Sequence, residues 1–413
     1  MRRRTFLKSM LGTAAWLFAG GGRAHATPLI VATTVSRSGP YASFAEPIEQ
    51  GLTLWAESAD RSAAFAGHGV ELRILDDASQ PEQAQAAFDA LLQAADAMIA
   101  PYGSRLTEAV LPLVEESGVP CVAPSAGSRD LWSEPRSWTV QLLNPVDTTF
   151  ASMLELVAGE GARSVALVYR DDGFSRLVMD GAERTAAALG MEVTARRRFT
   201  IEAEAAAALD GLTADVLLAT GYRPDGAGFG FVEDALMLHT TLARRDPAFA
   251  WVNLGIGAAG RDFGEAAQPS PDRVFGTTGW RSYLPTPGNR DFVKRYTRQW
   301  GAPPDTHAAQ AYAAGQLLAE AWRQVGRGSL APSSAPSSAP PREAWRDALF
   351  GLDTETVFGR FAVDANGLQI AKQNAVIQWH DRQPEVLFPL RYRTAALPQS
   401  SARPIASPTR RSA

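Results

Sequence analysis

The residues that could do chemistry lie in short loops pairing glycines and hydroxyls with single aromatic rings. They are Ser38-Gly39-Pro40-Tyr41-Ala42-Ser43-Phe44, Tyr102-Gly103-Ser104 and Ser125-Ala126-Gly127-Ser128, then Arg170-Asp171-Asp172-Gly173-Phe174, Thr220-Gly221-Tyr222 and Gly255-Ile256-Gly257. Small residues allow close backbone approach, hydroxyls donate to a carboxylate or amide, and rings supply a rigid apolar wall. Each loop alone is an ordinary turn, but their repetition through both halves of the chain points to reversible capture of a small molecule.

Bond-making chemistry has less support. Gly255-Ile256-Gly257-Ala258-Ala259-Gly260 spells a dinucleotide-type glycine motif, but the ribose-holding acid due about 20 residues on is missing from Phe275 to Tyr283. No G-x-S-x-G elbow, phosphate loop or partnered carboxylate pair is present. His25, His68, His239, His307 and His380 lie far apart without ligand spacing, so neither a metal nor a cofactor is expected. The single cysteine, Cys121, sits in an apolar run and reads as a buried strand position. With 40 Lys+Arg against 44 Asp+Glu and no long run of either sign, the chain lacks a basic surface for nucleic acid.

These loops need a scaffold. From Leu29 onward, short Val/Ile/Leu-rich runs alternate with longer Ala/Glu/Leu-rich amphipathic segments, the pattern of β-α units around a parallel sheet. Strands are expected at 29–35, 70–76, 97–100, 120–123, 164–169, 215–219, 249–254 and 273–278. Ser43 and Glu46 have capping-box spacing for a helix over about 43–59. Further helix starts are expected near Pro81, Ser104, Asp147 and Phe174. In such a sheet ligands gather beyond the carboxyl ends of the strands, where the loops above fall. The length of 413 residues suits two lobes.

Two other parts of the chain read differently. Arg3-Arg4-Thr5-Phe6-Leu7-Lys8, a moderately apolar segment to Gly22, and Ala24-His25-Ala26 form a signal peptide over 1–26, of the kind read by the twin-arginine export machinery and cleaved after Ala26. The apolar segment is too short and interrupted for stable membrane insertion. Residues 328–341 and 397–413 are Ser/Pro-rich and expected to be a low-complexity loop and a disordered tail.

Ser38-Gly-Pro-Tyr-Ala-Ser-Phe44, Asp76-Asp-Ala-Ser-Gln-Pro-Glu82, Ala100-Pro-Tyr-Gly-Ser104, Gly118-Val-Pro-Cys-Val-Ala-Pro-Ser-Ala126 and Val357-Phe-Gly-Arg-Phe-Ala-Val-Asp-Ala-Asn-Gly367 occur in this order. Together they resemble the periplasmic leucine/isoleucine/valine-binding protein family, type I receptors that feed ATP-driven importers. The likeness runs from about Leu29 to Tyr392. It implies an α/β fold of two doubly wound parallel-sheet lobes joined by a three-strand hinge and closing on a ligand. By position, lobe one would be 29–143 plus 276–351 and lobe two 144–275 plus 352–393.

The resemblance also implies a small-molecule ligand and an ABC importer permease as partners. Its ligand site maps onto Ser38, Tyr41, Phe44, Tyr102, Gly103, Ser104, Ser125, Ala126 and Gly127, and, on lobe two, Phe174, Tyr222 and Ile256. The carboxylate would be held by Gly103-Ser104 and by Ser125 to Gly127. Two positions depart from the amino-acid binders. Gly127 stands where they carry a hydroxyl, and the acid that holds the ligand's ammonium falls at or next to Ile256. Asp171, Asp172 or Asp262 would have to compensate, or the ligand has no α-amino group. Amides, ureas, carboxylates and aromatic acids therefore stay open, as does a sensory role in place of transport. His307, Gln310 and Tyr312, on one expected helix of lobe one, are either a further part of the site or helix packing, and Trp280, Arg281 and Tyr283 could either border the cleft or pack at the hinge.

Overall fold

A computed structural model describes residues 28–62, 65, 68–223, 230–245, 249–272, 274–328 and 341–396. The export segment, the low-complexity loop apart from its end residues, and the tail lie outside the described residues.

The first stretch is β1 (Leu29–Val35), α1 (Ala45–Ser62), β2 (Val70–Asp76), α2 (Pro81–Leu92), β3 (Ala97–Ile99), α3 (Gly103–Ser117), β4 (Cys121–Ala123) and β5 (Thr139–Gln141). These strands form one parallel sheet in the order β2-β1-β3-β4-β5. β1, β3 and β4 are almost wholly buried, because a parallel sheet is covered on both faces.

The second stretch is α4 (Ala151–Gly159), β6 (Ser164–Arg170), α5 (Gly173–Ala188), β7 (Glu192–Phe199), α6 (Glu202–Leu209), β8 (Val216–Thr220), α7 (Phe231–Arg245), β9 (Trp251–Asn253), α8 (Arg261–Ala266) and β10 (Val274–Thr278). The chain then returns to the first lobe through α9 (Asn289–Trp300), α10 (Thr306–Gly328), α11 (Arg342–Phe350) and the ribbon β11 (Thr354–Thr356) with β12 (Gly359–Phe361). It ends in the hairpin β13 (Ala375–His380) and β14 (Gln383–Phe388). The second sheet runs β14-β13-β10-β9-β8-β6-β7, parallel from β10 to β7, with β13 antiparallel to β10.

Several expectations need correction. Ser43 and Glu46 do not form a capping box: the chain enters α1 through a 3-10 turn at Ala42–Phe44 that lacks a side-chain cap, and Glu46 instead accepts from Gln50 one turn later. Gly276 to Thr278 belong to β10 in the second sheet, so the second crossing follows Thr278. The third crossing also comes later than residue 352. Leu352, Val357, Phe358 and Phe361 pack into the first lobe's core with Trp55 and Leu317, and Gln369 bonds Gln141 and Leu142. Apolar contact there outweighs the pull of the later hairpin.

The three crossings meet in a small polar bundle. Asn374 donates to the carbonyls of Thr148 and Thr149 on the first crossing, and Lys372 donates to Gly279 on the second at 2.9 Å and to Phe358.

Candidate functional site

The first lobe offers one wall, built from the loops after β1, β3 and β4. Phe44 packs on Tyr102 with ring centroids 4.6 Å apart, and Tyr41 meets Tyr102 edge-on at 5.3 Å. Ser104, in the first turn of α3, ties two loops together: its hydroxyl oxygen accepts from the backbone N–H of Gly127 at 3.1 Å and of Ser128 at 3.0 Å. Its proton remains available to a ligand oxygen. A Cβ on Gly127 would lie 2.5 Å from the Val146 side chain, so a larger residue there would require that side chain to shift. Ser125 donates to Gln310 on α10 at 3.2 Å, and Ala126 is buried with its carbonyl accepting from Gln141. Ser38, at the outer edge, bonds Asp76 and accepts from Ser79 through its carbonyl.

His307 completes this wall. Its ring lies 4.6 Å from Phe44 and 5.3 Å from Tyr102, and its Nδ1 meets Asp305 at 3.0 Å. Packing accounts for Tyr312, whose ring lies 4.7 Å from Phe292 and tilted to it, whereas His307 and Gln310 contact the candidate site loops. Which loops they reach depends on α10 returning to the first lobe.

The second wall carries Phe174 at the start of α5 and Tyr222 after β8, with Phe231 at the start of α7 closing the trio at 5.1 to 5.9 Å. Behind them Arg170 makes a two-pronged pair with Asp234, and Arg223 reaches the same carboxylate at 2.8 Å. Asp171 is occupied by Arg176 and Arg198. Asp172 caps α5 through one oxygen, bonded to the Ser175 N–H at 2.8 Å, while its other oxygen is buried with no partner. The two walls sense each other. Burial raises the Tyr102 hydroxyl above its ordinary range, with Tyr222 of the other lobe and Tyr41 adding to the effect.

The glycine motif at 255–260 has a packing explanation. A Cβ at Gly257 would stand 1.9 Å from the Phe231 carbonyl, so glycine lets the turn after β9 lie against the start of α7. The Ile256 carbonyl accepts from Arg281 at 3.2 Å. Arg281 also donates to Ala259 and Trp280, and Tyr283 donates to Ala259 at 2.7 Å. Trp280 is buried, bonding Asn289 and Val357 at the hinge side. Among the described residues no cluster of His, Cys, Asp and Glu could hold a metal, and no helix is long and apolar enough to cross a membrane.

The sequence profile described as periplasmic binding protein matches residues 28–383, most of the chain. This chain belongs to the periplasmic binding protein family. Solved structures of similar fold include a candidate branched-chain amino acid ABC transporter protein from Rhodospirillum rubrum, 17% identical over 87% of this chain and 100% of that one, with a TM-score of 0.74. Another is the branched-chain amino acid transporter substrate-binding protein LivJ from Streptococcus pneumoniae in complex with isoleucine, 18% identical over 88% and 100%, TM-score 0.64. A third is a solute-binding protein of an ABC transporter from R. palustris in complex with benzoate, 20% identical over 87% and 95%, TM-score 0.62. Membership fits the two sheets and three crossings, since lobes of this family hinge about such connections.

Proposed function

We propose that the chain is the substrate-binding component of an ABC importer, working in the periplasm after twin-arginine export through Arg3-Arg4, and that it captures a small organic solute between its lobes for delivery to a permease. The observation that supports this reading is that the loops carrying Phe44, Tyr102 and Ser104 in one lobe and Phe174 and Tyr222 in the other each follow the carboxyl end of a parallel strand, with Tyr222 near enough to add to the shift of the Tyr102 hydroxyl. The work is binding, not catalysis: the loops supply apolar walls and hydrogen-bond donors without a nucleophile held by a base. Isoleucine in one similar fold and benzoate in another set the range of solutes to try, from amino-acid-like molecules through amides and ureas to carboxylates.

A thermal-shift screen of the chain against those classes tests the reading. A solute present at 100 times its Kd adds about 2.7 kcal/mol of stability, a readily seen rise in Tm. The rise should shrink in Ser104→Ala and Phe44→Ala. Silence from every class, or full retention of the rise in both variants, would sink it.

A further inference from the structure

We propose that Arg281 makes the cleft selective for solutes that present a carboxylate, and no ammonium group, to the turn Ile256–Ala259. The inference rests on the cleft being the solute site and specifies the charge of what it takes.

Three observations carry it. First, the second-lobe turn that follows β9 offers no acid, since its residues are Ile256, Gly257, Ala258 and Ala259. Second, a cation has moved in. The Arg281 guanidinium lies against this turn, donating to the carbonyls of Ile256 at 3.2 Å and Ala259 at 3.3 Å, with Trp280 at 3.4 Å. These bonds use three of the five N–H donors a guanidinium carries, and among the described residues no carboxylate stands within ion-pair distance of it. Third, the group lies at the carboxyl end of β9, the end of the sheet that the other candidate loops of this lobe share. Its protonation is disfavoured by burial and supported through space by Tyr283 and by two acids, Asp262 on α8 and Asp305 at the head of α10 in the first lobe.

Neither acid forms an ion pair with it among the described residues. Asp305 already accepts from the His307 and Ala308 N–H groups and meets the His307 ring. Asp262 is on the exposed side of α8. A second guanidinium, Arg261, lies 5.6 Å over the Tyr283 ring and adds to the positive field at this end. A desolvated cation with unused donors is stabilised by an incoming carboxylate and repelled by an ammonium, and a planar guanidinium matches the two oxygens of a carboxylate. An acid that would oppose this preference is Asp172, near Tyr222, whose second oxygen is buried without a partner.

The experiment is calorimetric titration of the full chain with matched sets: 3-phenylpropanoate, phenylalanine and 3-phenylpropanamide; 4-methylpentanoate, leucine and 4-methylpentanamide; succinate and aspartate. The expected result is that the carboxylates without an amino group bind about tenfold or more tightly than the amino acid or amide of the same set. Arg281→Gln should reduce that carboxylate-to-amide ratio by about tenfold, and Arg281→Lys, which keeps charge but loses the fork, should restore part of it. The ratio separates a ligand contact from mere bracing of the turn, which would weaken every solute alike. Preferential binding of an amino acid, above all if lost in Asp172→Asn, overturns the charge assignment while leaving the cleft as the solute site. An unchanged ratio in Arg281→Gln overturns it in the same way. Failure of every solute, charged or neutral, overturns both this inference and the cleft reading.

Discussion

Replacing Asp234 by alanine is expected to destabilise the protein by about 3–5 kcal/mol, the usual cost of leaving buried charges without their partner. The Asp234 side chain is fully buried and is held by Arg170 at 2.5 and 2.6 Å and by Arg223 at 2.8 Å. Arg170 is 12% exposed, so its guanidinium would keep the Thr200 carbonyl and the Phe199 ring but lose its carboxylate in a poorly solvated place behind the ring trio. The carboxylate also sets the path of the Tyr222 loop. A Cβ on Gly221 would lie 2.0 Å from it, so the loop's backbone passes directly over the acid. Urea denaturation should show the midpoint falling sharply with little change in slope. Arg170→Ala added to Asp234→Ala should cost much less than the sum of the two single changes, since each removes the reason for the other's cost. A loss below about 1 kcal/mol for Asp234→Ala would mean the charges are solvated in a way the geometry does not convey.

The second large effect concerns pH. Burial pulls the Lys372 ammonium down from its ordinary range to about 7, with Arg391 adding repulsion. The unfolded chain binds this proton up to about pH 10.5 and the folded chain only up to about pH 7. Between those values the unfolded state holds more protons, so stability rises with pH across that window and levels off below it. Linkage gives a contribution of about 3 kcal/mol between pH 7 and pH 10. Lys372→Met should flatten the profile by that amount whatever its absolute stability. The Met variant loses the bonds to Gly279 and Phe358, so the informative quantity is the slope, not the offset. Parallel profiles for parent and variant would show that Lys372 stays charged in the hinge.

The parts of the fold that sequence made plain are those whose pattern is local. β1, β6, β8 and β10 are continuous apolar runs buried in a parallel sheet, and their limits match the expected strands to within one residue. β7 was missed because it is an edge strand, Glu-Val-Thr-Ala-Arg-Arg-Arg-Phe, whose charges blunt an open sheet edge instead of marking a core. β5 is three residues long, too short to carry periodicity, and the β13–β14 hairpin follows a crossing whose place depends on packing between distant segments.

The candidate site divides in the same way. Phe44, Ser104, Phe174 and Tyr222 lie in loops next to recognisable strands, so their positions could be read directly. Gln310 is 185 residues from the Ser125 it bonds, and His307 reaches Phe44 only because α10 packs beside α1. For Arg281 the sequence left cleft and hinge both open, and its hydrogen bond to the Ile256 carbonyl ties it to the turn after β9. Tertiary proximity, not local composition, decides such residues.

The measurement that tests the central claim most directly is hydrogen–deuterium exchange of the chain with and without the solute that raises Tm most in the screen. A solute clamped between two lobes should slow exchange together in Ser38–Phe44, Tyr102–Ser104 and Ser125–Ser128 of the first lobe and in Asp171–Phe174, Tyr222 and Ile256–Ala259 of the second. Protection confined to one lobe, or falling away from these loops, would contradict the account of the cleft as the place of capture.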